Sequence, residues 1–302
     1  MSMAGSTPSK ALVTPLWRTL LARERAALGS GKLSPIATTT DWLEDAGMRF
    51  LVRVVDSLAR KAAAEQIDMP EDRRRSKRNP FLPPDPALTV GPLGPDHLCV
   101  LNKFQVIAHH ALVITRNFEP QDELLSEQDL RALSICMAAV EGLGFYNAGP
   151  QAGASQRHRH LQLVPLPLAP EGDSIPLQPQ LSAALGDTGE IVTCPSFPFE
   201  HAMIQVGLEG PEQAATAWAA YRALLQRVDL DPGPRGHTEP YNLLVGKGWM
   251  LLVPRTQERW ENISINALGF AGALLVRDRQ QAARLRIEGP LTALRAVTRP
   301  PA

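Results

Sequence analysis

The sequence predicts an α+β protein with an antiparallel sheet flanked by helices and an extended C-terminal lobe. Helix-like and strand-like stretches alternate along the 302 residues, and strand-like residues 241–245 and 249–253 flank the turn Gly246-Lys247-Gly248. A short glycine turn joins antiparallel neighbours, whereas parallel strands need a long crossover. Hairpins therefore favour this class over a doubly wound parallel sheet.

Composition places the chain among globular proteins of a reducing compartment. Hydrophobic residues make up 44% and charged residues 21%, so a sizeable core can be buried. The 31 basic and 31 acidic side chains cancel, and overall charge predicts neither nucleic-acid nor membrane binding. Cys99, Cys136 and Cys194 form no CxxC pair. With no secretory leader pattern and no long apolar stretch, we expect a cytoplasmic protein.

Residues 1–75 are expected to form an N-terminal helical segment. One helix begins after Thr14, a favourable N-cap, with Pro15 in its first turn and Gly29 as a stop. A second helix is predicted over residues 41–64, where apolar side chains recur at helical spacing.

The remainder divides into a catalytic part, residues 76–170, and a C-terminal part, residues 171–302, that completes the sheet and the substrate site. Strands are predicted at residues 98–104, 111–115, 144–147, 158–164 and 202–206, and helices after Ser126 and at residues 211–228. Residues 170–195, interrupted by prolines, are expected to form a long surface segment.

Two clusters of titratable residues have a simpler, structural interpretation. A basic run at residues 73–78 is of the kind usually found in solvated loops, although one of its cations could contact a polyphosphate, and Lys77 is our candidate. His109 and His110 are adjacent and would face opposite sides of a strand. They could not share a metal ion there, so we interpret them as structural or surface histidines.

Residues 142–167 carry the candidate chemistry. A strand-like piece and a loop of small residues precede a second strand at residues 158–164. Side chains alternate faces along a strand, so His158, His160 and Gln162 share one face. The glycines of the loop permit the unusual backbone angles of a phosphate cradle, in which N–H groups point at an anion.

Three interpretations of the histidines at residues 158–160 are open from the residues alone. The rings could be structural and hydrogen-bonded in a polar core. They could ligate a metal, although such sites have three or four ligands and the next position on this face is Gln162, a poor zinc ligand. Alternatively, a neutral imidazole could attack phosphorus, with its other nitrogen held by a backbone carbonyl and with donors for the phosphate oxygens at residues 153–156.

Several motifs in order resemble a known family. The segment HRHLQ at residues 158–162 resembles the histidine-triad signature with glutamine as its third member, which marks the nucleotidyltransferase branch. The wider sequence resembles the diadenosine tetraphosphate phosphorylases, also called ATP adenylyltransferases. The matching motifs are NPF at 79–81, LNKF at 101–104, FYNAG at 145–149, GASQ at 153–156, YNLL at 241–244, VPR at 253–255 and NALGFAG at 266–272. The resemblance implies a histidine-triad-like sheet.

This resemblance implies phosphorolysis in two half-reactions. His160 attacks the α-phosphorus of the dinucleotide, ATP leaves, and phosphate then releases the adenylyl group as ADP. His158 supports the nucleophile, and Gln162 hydrogen-bonds the phosphoryl group or the leaving oxygen; because glutamine is neutral, it should not activate water. The predicted substrate-binding residues, with Lys77 taken from the basic run, are Lys77, Asn102, Lys103, Asn147, Gly153, Ala154, Ser155, Gln156, Asn242 and Lys247. No metal ligands and no covalently bound cofactor are expected, but a divalent cation could enter with the substrate phosphates.

Two alternative functions remain open at this point. A sugar-1-phosphate nucleotidyltransferase would form a similar histidine adduct, although such enzymes often carry metal-ligating cysteines, and the three cysteines here are not grouped. A non-catalytic nucleotide-binding regulator would keep the pocket but lose the nucleophile, and His160 is present. The sequence indicates small-molecule substrates and gives no oligomeric state.

Overall fold

A computed structural model describes residues 14–55, 79–169, 171–186, 189–230 and 238–301. The helices are α1 (Pro15–Gly29), α2 (Glu127–Met137), α3 (Gln178–Ala184), α4 (Ala214–Arg227), α5 (Arg279–Glu288) and α6 (Pro290–Ala296). The strands are β1 (Thr38–Asp45), β2 (Met48–Val55), β3 (Thr89–Leu93), β4 (His97–Leu101), β5 (Ala111–Thr115), β6 (Gly142–Ala148), β7 (His160–Pro165), β8 (Ile191–Val192), β9 (Ala202–Gln205), β10 (Tyr241–Gly246), β11 (Trp249–Pro254), β12 (Arg259–Trp260), β13 (Ile263–Ser264) and β14 (Ala273–Val276).

A nine-stranded sheet organises the molecule, in the order β3-β4-β5-β7-β6-β10-β11-β9-β8. Its neighbouring strands are antiparallel, including the predicted hairpin of β10 and β11. The α+β class with a large antiparallel sheet is therefore confirmed. Strand β10 pairs with β6, with Tyr241 opposite Ala148. Since this pairing joins strands from either side of residue 170, the domain division at residues 75 and 170 stays a prediction.

Each face of the sheet carries its own apolar cluster, because side chains alternate faces along a strand. Leu161 and Leu163 of β7 pack in one cluster with residues of α1, α2 and α4. Val164 packs in the other with residues of β2, α3 and α6. The alternation predicted for this strand is confirmed. No helix in the described part of the chain is long and apolar enough to cross a membrane.

The prediction of a helix over residues 41–64 is wrong for residues 41–55. Residues 38–55 form the β1–β2 hairpin, in which Thr38 lies opposite Val55. Its turn uses Ala46 and Gly47, both with positive φ (47° and 75°), and residues rich in valine follow. Those residues favour strand because β-branched side chains fit a pleated surface. Residues 56–64 lie outside the described ranges.

The surface segment predicted for residues 170–195 is also wrong in part. It includes α3 and the short β8, and it buries Ile175, Leu177, Leu181 and Cys194. A proline lies in the first turn of α3, where its missing N–H costs nothing. The proline at the start of α3 is compatible with a helix, and the spacing of prolines in the sequence did not indicate this.

Two predicted helix starts are confirmed. Thr14 caps α1, its hydroxyl accepting a hydrogen bond from the Trp17 amide at 3.4 Å. Ser126 and Asp129 form a reciprocal capping box at the start of α2.

Candidate active site

His160 opens strand β7 near the middle of the sheet, opposite Ile114 of β5. Its Nδ1 lies 2.8 Å from the carbonyl oxygen of His158. A carbonyl can only accept, so Nδ1 carries the proton and Nε2 keeps its lone pair. No described residue hydrogen-bonds Nε2. Burial lowers the pKa of His160 to about 4. The ring is therefore neutral near pH 7 and has the tautomer that a nucleophile needs.

The backbone carbonyl of His158 accepts a hydrogen bond from His160, and both ring nitrogens of His158 are themselves hydrogen-bonded. Its Nδ1 lies 2.9 Å from Asn79 Nδ2, and its Nε2 lies 2.8 Å from the carbonyl oxygen of Thr115. The Asn79 oxygen accepts from the Phe81 amide at 2.9 Å, which fixes the Asn79 nitrogen towards the ring. His158 thus donates from Nε2 and accepts at Nδ1. Burial lowers its pKa as well. This geometry suits the supporting role predicted for it.

The backbone of His160 has a further support that the sequence analysis missed. The His160 amide donates to Gln121 Oε1 at 2.8 Å, and Gln121 Nε2 donates to the carbonyl oxygens of Asn147 and His160 at 2.9 and 3.2 Å. Gln121 is buried and joins β6 to β7 where the sheet ends. It belongs to none of the motifs quoted above, so no local signal indicated it.

Gln162 faces a third histidine. His110 Nε2 lies 3.0 Å from Gln162 Oε1, and His110 Nδ1 lies 3.2 Å from Asn102 Nδ2. The interpretation of His110 as a structural or surface histidine is incomplete, because its buried ring contacts Gln162 in the site. His110 precedes β5, which pairs directly with β7. Strand order creates this contact, and a single sequence does not reveal strand order.

The loop after β6 provides fewer free donors than predicted. Gly149 and Gly153 have positive φ of 83° and 93°, as a cradle requires. However, the Gly153 amide donates to Pro150 at 2.9 Å, and the Ala154 amide donates to Gly149 at 3.2 Å. Among the described residues, the backbone N–H groups of Ser155 and Gln156 have no acceptor. These two remain available to an anion.

Asn147 and Asn242 form one amide pair beside this loop. Asn147 Oδ1 accepts from Asn242 Nδ2 at 2.8 Å and from the Ala267 amide at 3.0 Å. Asn242 is fully buried, donates also to the Ala152 carbonyl at 2.8 Å, and accepts from Arg255. The Asn147 NH₂ group, in contrast, has no acceptor among the described residues. A direct contact between Asn242 and substrate, as predicted, would require its bonds to be exchanged; in this geometry it orients Asn147.

Arg255 is a buried cation beneath the loop, although sequence reasoning gave it no role. It is 2% exposed and donates to the carbonyl oxygens of Ile265 and Ala152 at 2.9 and 3.3 Å. Burial lowers its pKa to about 9, so it remains charged at neutral pH. Its place in the VPR motif was the available signal.

The predicted lysines occupy different surroundings. Lys103 is exposed beside Asn102, with its Nζ 5.1 Å from the centre of the Phe104 ring. Lys247 lies in the exposed β10–β11 turn, five residues along the strand from Asn242. At about 3.4 Å per residue that is roughly 17 Å of backbone, so the structure does not bring Lys247 to the Asn147–Asn242 pair. Lys77 and the basic run lie outside the described residues.

Together these groups can hold an anion against a neutral imidazole. Across residues 14–55, 79–169, 171–186, 189–230 and 238–301, no three His, Cys, Asp or Glu side chains are grouped as metal ligands would be.

Residues 8–183 match the sequence profile described as the Ap4A phosphorylase N-terminal domain, more than half of the chain. The chain belongs to the Ap4A phosphorylase family. Residues 195–300 match the profile of the ATP adenylyltransferase C-terminal domain. Ap4A is diadenosine tetraphosphate, and members of the family are nucleotidyltransferases.

Yeast relatives of the Ap4A phosphorylase family agree with this assignment over most of their length. Diadenosine 5',5'''-P1,P4-tetraphosphate phosphorylase 2 of Saccharomyces cerevisiae is 29% identical over 286 residues, which cover 83% of this chain and 81% of the yeast protein. Yeast Ap4A phosphorylase Apa2 in complex with Ap4A superposes with a TM-score of 0.78 at 25% identity, covering 95% of this chain and 98% of that one. Its complex with AMP gives 0.77 at 24% identity, covering 95% and 97%. The expected resemblance is confirmed, and the chain is a transferase rather than a binding regulator.

Proposed function

We propose that this protein cleaves diadenosine tetraphosphate with phosphate to give ATP and ADP, through an adenylyl group carried on His160. The observation that supports it most is the ring of His160, whose proton is fixed on Nδ1 and whose Nε2 has no partner among the described residues. A structural histidine would use both nitrogens. The match to yeast Ap4A phosphorylase, solved in complex with Ap4A, supports the choice of dinucleotide.

The first half-reaction forms a P–N bond and breaks a P–O bond. The Nε2 lone pair attacks the α-phosphorus, and the electrons of the bridging P–O bond leave with ATP. The imidazole gains positive charge as the bond forms, and the His158 carbonyl, 2.8 Å from Nδ1, stabilises it. The leaving oxygen belongs to a polyphosphate that is anionic at neutral pH, so it needs no strong general acid.

The second half-reaction reverses these bonds with a different nucleophile. An oxygen of inorganic phosphate attacks the adenylyl phosphorus, the P–N bond breaks, and ADP leaves a neutral His160. Phosphate is already anionic and needs no base. Gln162 cannot remove a proton from water, because its amide does not titrate in the physiological range. Transfer to phosphate is therefore favoured over hydrolysis.

Donors around the loop are proposed to bind the phosphates. The available groups are the backbone N–H groups of Ser155 and Gln156, the NH₂ group of Asn147 and the ammonium of Lys103. Lys77 stays a candidate from the basic run, and Gly153 and Ala154 shape the loop. Under this proposal no cofactor is covalently held, and a divalent cation enters with the substrate phosphates. The cytoplasm is proposed as the compartment, supported by three free, buried cysteines.

His160→Gln tests the proposal, and His201→Gln is its matched control. His201 is buried and also places Nδ1 2.8 Å from the carbonyl of residue i−2, Phe199, but its Nε2 accepts from the Cys194 amide at 2.7 Å. Given Ap4A without phosphate, wild type and His201→Gln should each gain one adenylyl group by intact-mass spectrometry. Adding phosphate should release ADP. His160→Gln should do neither, since an amide is not a nucleophile here.

The product assay also contains the outcomes that contradict the proposal. Near wild-type turnover by His160→Gln would exclude the covalent intermediate. Products that form equally without phosphate would indicate hydrolysis. Exchange that depends on a sugar 1-phosphate would indicate the alternative transferase.

A further inference from the structure

A chain of four hydrogen-bonding groups ends at Gln162 and fixes how its amide points. The Phe104 amide donates to Asn102 Oδ1 at 3.1 Å. A backbone N–H can only donate, so the Asn102 oxygen faces Phe104 and the Asn102 nitrogen faces His110, 3.2 Å away. His110 Nδ1 must then accept, which leaves its proton on Nε2. That proton is donated to Gln162 Oε1 at 3.0 Å.

Because Oε1 of Gln162 is occupied by the N–H of His110, only its NH₂ group is left for a phosphoryl group that binds at His160. Among the described residues this nitrogen has no acceptor. Rotation of the amide by 180° would place NH₂ against the N–H of His110 and Oε1 against phosphoryl oxygens. Both arrangements are repulsive, and the second would turn two donors into an acceptor beside a developing negative charge.

The segment that carries this chain of contacts is closed on itself and tied to the first helix. The Asn102 amide donates to the carbonyl of His110 at 2.9 Å, so the ends of residues 102–110 are joined. Glu24 of α1, which is 5% exposed, accepts from the His109 amide at 3.0 Å and from Gln105 Nε2 at 2.6 Å. The two orienting side chains therefore rest on a braced segment.

We infer that His110 and Asn102 are positioning residues for the transfer reaction, which set the orientation of the Gln162 amide towards the phosphoryl group. This inference rests on the proposed function and extends it to residues that do not themselves reach the reacting atoms. It also changes the role of Asn102, which the sequence had predicted to bind substrate.

The arrangement orients and does not shuttle protons. Burial, together with the nearby His160 ring, lowers the pKa of His110 to about 4, although its bond to Gln162 acts in the opposite direction. His110 is therefore neutral across the working range, and its proton stays on Nε2. Gln162 offers no site that could pass a proton onward.

A double-mutant cycle tests the inference. His110→Asn keeps an amide where Nδ1 lies but cannot reach Gln162, whereas His110→Gln keeps an N–H donor where Nε2 lies. His110→Asn should slow adenylyl-enzyme formation about 10- to 100-fold, less than the ~10²–10³ for deleting an oxyanion donor outright. His110→Gln should recover most of this loss. In a Gln162→Ala background, His110→Asn should cause no further loss, since the residue that it orients is gone.

A second cycle measures AMP affinity by calorimetry and needs no turnover. His110→Asn should weaken AMP binding in the Gln162 protein and not in the Gln162→Ala protein. If His110→Asn weakened AMP binding by the same factor in the Gln162 and the Gln162→Ala proteins, the inference would be overturned. Failure of His110→Gln to restore activity, when circular dichroism shows native folding, would also overturn it. Coupled AMP affinities without any adenylyl adduct in wild type would instead leave the positioning role and refute the proposed reaction. An adenylyl adduct in wild type, together with additive effects of the two substitutions on AMP affinity, would support the proposed reaction and refute the positioning role.

Discussion

Gly153 determines the shape of the loop that leads into β7, the strand that carries His160. Its φ is +93°, and a Cβ there would lie 2.9 Å from the Ile265 carbonyl oxygen and 3.0 Å from Asn266 Cα. Side chains are strained at this φ, and backbone atoms cannot move aside as a flexible side chain can. The residue is thus fixed both by conformation and by close approach.

Gly153→Ala should therefore cost more than a glycine substitution that meets only the conformational penalty. Gly94 is the matched control, with φ +77° and no atom within 4 Å of its Cβ position. Gly94→Ala should lower the free energy of unfolding by about 1 kcal/mol. Gly153→Ala should lower it further and raise KM for Ap4A. Urea unfolding and initial rates measure both, and equal losses in the two variants would contradict this account.

The face that carries the proposed nucleophile was predictable from sequence, and much of the support around His160 was not. His158, His160 and Gln162 share a face because the two-residue period of a strand is a local property. Gln121 and His110 reach the site through strand pairing and a loop that returns to the sheet end. Such contacts depend on which strands become neighbours, and no spacing within one stretch encodes that.

At the scale of elements, the predicted second helix failed because its pattern was ambiguous. Leu51 and Val55 are four residues apart, and both lie on β2. That separation suits one face of a helix and, being even, also suits one face of a strand. The turn at Ala46-Gly47 and the valines of β2 favour two strands over a helix. Where capping chemistry was present, at Thr14 and Ser126, the predicted helix starts were correct.

Helix α1 stabilises the segment that carries His110 through a single carboxylate. Glu24→Ala should leave the buried Gln105 amide and the half-buried donors of His109 without acceptors, at up to about 1–3 kcal/mol for each such group. We expect the free energy of unfolding to fall by about 2–4 kcal/mol and hydrogen exchange of residues 102–110 to accelerate. Arg25→Ala, at the next and exposed position of α1, is the control. Matching exchange rates in the two variants would show that Glu24 does not brace this segment.

At the scale of the whole molecule, the site places three neutral imidazoles in the interior, those of His110, His158 and His160. Burial lowers the pKa of both His160 and His110 to about 4 from an ordinary 6.5. Between these values the unfolded chain binds protons that the folded chain does not. The contribution of these two histidines to stability is therefore complete above about pH 6.5, falls as the pH drops towards 4, and levels off below that value.

Urea unfolding at about pH 7.5 and pH 5 should reveal this loss. Each pKa unit corresponds to about 1.4 kcal/mol, so each histidine can contribute up to about 3 kcal/mol over the full window. His160→Gln removes one titrating group and should reduce the dependence on pH. Equal unfolding free energies at both pH values in wild type would contradict the burial of neutral rings.

The pairing of β6 with β10 has a consequence for how the chain could be divided. The two family profiles meet between residues 183 and 195, yet Asn147 on one side takes its orientation from Asn242 and Ala267 on the other. The profile boundary therefore falls between segments that share one surface of the sheet. Fragments cut there would have to pair again along β6 and β10 before Asn147 regained these contacts.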